Sequence, residues 1–92
     1  MAFCTQLEWD HEFPFERYEA MTMAAGSHGV LPEGCLSRIV GRVKTGARIF
    51  EIWESPDDAR RFGEKSAALL SEFQMPPPAR AAAFELVSFQ AR

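Results

Sequence analysis

The order of segments constrains this chain most: strand, helix, strand is written twice within 92 residues. The first statement runs from Phe3 to about Val43 and the second from Ala47 to Phe89. Each helical stretch opens at a proline and lies between β-rich runs. The resulting β-α-β-β-α-β order predicts an α+β, ferredoxin-like fold, with four antiparallel strands and both helices on one face. At this length residues 1–92 are expected to form one domain with one core.

Ala2 to Trp9 reads as the first strand, with Phe3, Thr5, Leu7 and Trp9 on one side and Cys4, Gln6 and Glu8 on the other. Pro14 suits a first helical position, and Phe15, Tyr18, Met21, Thr22 and Ala25 recur at helical spacing behind it. Gly26, Gly29, Pro32 and Gly34 make a loop before the strand Cys35 to Val43. Lys44-Thr45-Gly46 reads as a tight hairpin, with Gly46 free to take positive φ. In the next strand, Ala47 to Glu54, Ala47, Ile49, Glu51 and Trp53 share a side, and Arg48, Phe50, Ile52 and Glu54 the other.

Ser55-Pro56-Asp57-Asp58 is a helix start: a serine cap, a proline at the first helical position and acids in the first turn. The helix from Pro56 to Phe73 carries a continuous stripe of Ala59, Phe62, Ser66, Leu69, Leu70 and Phe73. Pro76-Pro77-Pro78 ends it in a stiff connection, for which a proline-recognition role is the alternative reading. Ala83 to Phe89 is expected to be the last strand.

Helices on one face leave the opposite face of the sheet bare. That face is expected to carry Ile49, Glu51 and Trp53, with Val87, Phe89 and Glu85 beside them. A second copy packed sheet to sheet would cover it, so a homodimer is expected, with any pocket between the two sheets.

Net charge is -3, and the basic residues Arg38, Arg42, Lys44 and Arg48 are scattered, which argues against nucleic acid as a partner. Cys4 and Cys35 are too few for a disulfide framework and are expected to be reduced. No ligand spacing for a metal joins His11, His28 and the cysteines, and no metal or other cofactor is expected. No apolar run reaches membrane-spanning length, so no membrane association is expected and the cytoplasm is the expected compartment. Neither a phosphate-binding glycine loop nor a nucleophile elbow is present.

Gly34-Cys35-Leu36-Ser37-Arg38 and the run from Gly46 to Ser55 resemble the antibiotic biosynthesis monooxygenase-like family of dimeric α/β-barrel proteins. Trp53-Glu54-Ser55 followed by a helix bearing Phe62 is the most specific part, and the likeness continues to Phe84 and Phe89. The resemblance implies sheet-to-sheet pairing of ferredoxin-like chains. It also implies, for some members, oxidation of polycyclic aromatic substrates by dioxygen without metal or flavin. Haem-degrading members are a poor match. The resemblance would want an asparagine on the first strand and a histidine on the second helix, and this chain has neither.

Three residues stand out as catalytic candidates. Trp53 offers an indole that can stack on an aromatic ligand and donate one N–H; its structural alternative is an interface anchor. Glu51, two residues earlier, is the candidate general base, because a carboxylate held out of water beside an indole is an avid proton acceptor. The alternative for it is an arginine-paired rim charge. His28, in a glycine-flanked loop, is a candidate proton carrier at a pocket mouth. Two functions follow: a cofactor-independent monooxygenase for a small aromatic or polycyclic substrate, or a non-catalytic dimeric domain that binds a small apolar ligand or serves assembly only.

Overall fold

All six expected elements are present in the computed structural model, which describes residues 1–90: β1 (Phe3–Trp9), α1 (Phe15–Ala24), β2 (Cys35–Val43), β3 (Gly46–Trp53), α2 (Pro56–Glu72) and β4 (Arg80–Glu85). The sheet runs β2-β3-β1-β4 with every neighbouring pair antiparallel, which is the ferredoxin-like arrangement. The start of α2 follows from its chemistry. Ser55 Oγ accepts from the Asp58 amide at 3.2 Å, Pro56 occupies the first turn, and Asp57 and Asp58 complement the helix dipole. α1 begins one residue later than expected. Pro14 is its cap, and the Pro14 carbonyl accepts from the Tyr18 amide at 3.0 Å.

The β2–β3 hairpin turns through Lys44-Thr45, and the left-handed residue is Lys44, at φ 55°, rather than Gly46. Gly46 is needed for a different reason: a Cβ there would run into the Trp9 carbonyl oxygen. β4 also differs from expectation, beginning at Arg80 and ending at Glu85. Its position follows β1, because strand pairing lasts only while partner backbone lasts. The pairing opens with Glu8 opposite Arg80, where Arg80 also bonds the Glu8 and Asp10 carboxylates, and closes with Phe3 opposite Glu85. Val87 and Phe89 therefore lie beyond the sheet, and Val87 is fully exposed.

Alternation across the register sorts the two faces. Thr5, Leu7 and Trp9 of β1, Arg38 of β2, and Ile49, Glu51 and Trp53 of β3 point toward the helices. The open face carries Cys4, Gln6, Ile39, Phe50, Ile52 and Phe84. The expected assignment of β3 is thus reversed. Trp53 is 1% exposed and packs under α2, its ring 5.3 Å from Phe62. Both sides of β3 carry large apolar groups, so alternation alone could not tell which side the helices cover.

Under the helices the core is divided. Trp9, Phe13, Ala47 and Ile49 form one cluster, with Phe15, Tyr18 and Met75 packed on it. Phe13 meets Trp9 and Phe15 edge-on at 4.8 and 4.7 Å, and Arg42 lies 4.1 Å over the Phe15 ring. The Trp9 indole donates to the Pro76 carbonyl at 2.9 Å, which ties the triple-proline connection to this cluster. Trp53 and Phe62 form a second aromatic contact. No residue of α2 is fully buried, so the helix stands off the sheet.

Candidate functional site

The gap left by that stand-off is a cavity of about 250 Å³. Its floor is the sheet, with Thr5, Leu7, Ile49, Glu51 and Trp53, and its roof is α1 and α2, with Met21, Thr22, Phe62, Ser66 and Leu69. The walls are overwhelmingly apolar. The cavity lies between sheet and helices of a single chain, not between two sheets.

Glu51 is 8% exposed and is the one carboxylate in the wall. Arg38, directly opposite on β2, donates to Glu51 Oε2 from Nε at 2.8 Å and from Nη2 at 2.6 Å. Both bonds fall on the same oxygen, leaving Oε1 outside the pair. The guanidinium also sits 5.4 Å from the Phe62 ring centroid, so α2 helps to hold it in place. Trp53 donates its indole N–H to Thr5 Oγ1 at 3.1 Å, which makes Trp53 an apolar wall with its polar atom already satisfied. Tyr18 reaches the same region. Burial pushes its phenol up, with Glu51 adding to the effect and Arg38 opposing it.

His28 stands elsewhere. It is exposed and lines an adjoining hollow, with Nδ1 3.4 Å from Thr22 Oγ1. Thr22 is a wall of both spaces. The structure therefore brings Glu51 and Trp53 together in one cavity and leaves His28 at its margin. Glu85 is exposed at the end of edge strand β4 and does not line the cavity. Cys4 and Cys35 are buried free thiols, and burial pushes both up, with Glu51 contributing. Among the described residues no three His, Cys, Asp or Glu side chains converge to hold a metal ion.

Arg38, Thr5 and Tyr18 were not singled out from the sequence as site residues. A signal for Arg38 existed. Counting outward from a two-residue turn at Lys44-Thr45 pairs Val43 with Gly46 and then, further out, Arg38 with Glu51. Choosing Gly46 as the left-handed turn residue hid that register. Thr5 carried no comparable signal, because its partner Trp53 is 48 residues away in sequence.

No protein-family model matches the sequence, and no curated protein matches it. Solved structures do match. MupZ from Pseudomonas fluorescens superposes with a TM-score of 0.72 at 18% identity, covering 99% of this chain and 94% of that one. A protein from Chloroflexus aurantiacus J-10-fl, provisionally named an antibiotic biosynthesis monooxygenase, gives 0.68 at 15% identity over 99% and 98%. A monooxygenase from the gene ActVA-Orf6 of Streptomyces coelicolor, in complex with the ligand nanaomycin D, gives 0.65 at 18% identity over 99% and 92%. Two of these neighbours carry monooxygenase names, and at these identities the likeness establishes the fold.

Proposed function

We propose that this chain is a cofactor-independent monooxygenase acting on a small aromatic or polycyclic substrate, with its site beneath the helices. One observation carries the reading: a single carboxylate, Glu51, is set beside Arg38 in the wall of a predominantly apolar cavity. At about 250 Å³ the space falls just below the usual ligand-pocket range of roughly 300–1,000 Å³, which suits a compact planar substrate.

The chemistry suited to such a site begins with a methylene flanked by aromatic rings and a conjugated carbonyl. Glu51 Oε1 takes a C–H proton, while Arg38 holds Oε2 and fixes the carboxylate's direction. The delocalised carbanion passes one electron to dioxygen. The two radicals join to form a C–O bond, and the peroxide takes up the proton. Loss of the second C–H proton with O–O cleavage leaves a carbonyl on the ring and releases water. The methylene carbon is oxidised and dioxygen is reduced, one oxygen atom going to product and one to water. Trp53, Phe62 and Ile49 enclose the rings and keep bulk water from the carbanion. His28, at the margin, exchanges protons with solvent.

A second copy of the chain is part of the same reading. The open face has an apolar centre of Ile39, Phe50, Ile52 and Phe84, with Ile39 and Phe84 exposed by 59% and 45%. At one end lies a rim of both charge signs, where Arg48 and Arg80 bond Glu8. Packing this face on the same face of a second copy about a two-fold axis would cover its apolar centre. Sedimentation should give a dimer at micromolar concentration, and Phe84→Glu with Ile39→Lys should give a monomer.

Oxygen uptake by metal-free protein supplied with anthrones and quinols tests the catalytic reading. Turnover should exceed buffer, and Glu51→Gln should reduce it by about 100-fold or more, the usual contribution of a general base. The Arg38 pairing favours one other reading, a binding domain whose Glu51 is structural. Saturable aromatic binding with no oxygen uptake would decide for that reading.

A further inference from the structure

The hollow beside the main cavity differs from it in chemistry. It has a volume of about 340 Å³, and its walls include Tyr18, Thr22, Ser27, His28, Val30 and Arg38. Tyr18, Thr22, Ser27 and Arg38 border both spaces, so the two lie side by side with Arg38 in the wall they share. Its lining residues include hydroxyl-, imidazole- and guanidinium-bearing side chains and no carboxylate.

Arg38 has donors to spare. Its hydrogen bonds to Glu51 use Nε and Nη2, and among the described residues Nη1 has no partner. Nor is Nη1 sealed off, since no buried side-chain nitrogen or oxygen lacks a partner. His28 engages Thr22 through Nδ1, and its Nε2 has no partner among the described residues. A guanidinium has five N–H donors and can serve two carboxylates at once. An anionic group of the ligand can therefore share Arg38 with Glu51, and this is the pairing in which hydrogen bonds are strongest.

We infer that the ligand is an aromatic carboxylic acid, its rings in the inner cavity and its carboxylate in the outer hollow against Arg38 Nη1 and His28. This rests on the inner cavity being the ligand site, as proposed above. The acid end would also fix how the rings lie, presenting the same ring carbon to Glu51 in each binding event. A neutral substituent would displace water from Nη1 without replacing its hydrogen bond in strength.

Calorimetric titration of naphthoic acid and of naphthamide, its neutral counterpart, tests this. The acid should bind at least about tenfold tighter. That preference should vanish in Arg38→Met with Glu51→Leu, which removes the ion pair together and leaves neither charge stranded. His28→Ala, an exposed loop position, should weaken acid binding severalfold and amide binding little; it serves as well if the double variant fails to fold. Equal affinity for acid and amide overturns the inference while the inner cavity stands. An acid preference that survives in the double variant and in His28→Ala overturns it too. Binding of neither compound overturns the ligand-site reading and the inference together.

Discussion

Replacing Arg38 by methionine isolates the interaction on which the site depends. Arg38 and Glu51 side chains are 12% and 11% exposed, so the substitution strands a largely buried carboxylate. Stranding one member of a buried pair costs about 3–5 kcal/mol. The adjoining cavity admits water to Glu51, which puts the expected loss at the low end, about 3 kcal/mol. At roughly 4–8 °C per kcal/mol for a domain of this size, the melting temperature should drop by about 12–24 °C. Adding Glu51→Leu removes the stranded charge and should return the protein to within about 1 kcal/mol of the parent. Urea denaturation followed by circular dichroism, with equal slopes for all variants and Glu51→Leu alone completing the cycle, gives the coupling energy. A single-variant loss below about 1 kcal/mol, or a double variant no more stable than the single, would refute the claim that this pair is buried and mutually dependent.

Two further outcomes are expected. Thr5→Val leaves the indole N–H of a 1% exposed Trp53 without an acceptor and should cost about 1–3 kcal/mol, with a shift in tryptophan emission; a change under about 0.5 kcal/mol would mean that Trp53 finds another partner. Asp58 is held below its ordinary 3.8 by Ser55 and then Arg61, and Asp10 by the hydrogen bond from Arg80, so both bind protons less readily folded than unfolded. Their stabilisation is present above about pH 4 and lost as pH falls through their lower folded values. Asp58→Asn should therefore flatten the acid limb of a stability-pH curve, and an unchanged limb would count against the Ser55 and Arg61 bonds.

The element order, the Ser55-Pro56 helix start and the alternation along β3 were legible in the sequence, because each depends on residues close together in the chain. Caps, breakers and period-two patterns are local physics. So was the association of Glu51 with Trp53, two residues apart and therefore on the same side of any strand. The limits of β4 were not legible: an alanine-rich run has little strand character of its own, and pairing with β1 places it.

Which face of the sheet the helices cover was a tertiary decision. Phe50 and Ile52 are as apolar as Ile49 and Trp53, so β3 by itself is nearly indifferent to which side it buries. Phe62 reaching Trp53 from α2, Arg38 meeting Glu51 across the hairpin and Thr5 accepting from the indole break that symmetry together. The Arg38–Glu51 contact follows from the hairpin register, whereas the Thr5–Trp53 bond spans 48 residues and has no counterpart in local pattern. The same contacts set the cavity between sheet and helices, since a helix that stands off its sheet is a property of packing between layers and not of either layer alone.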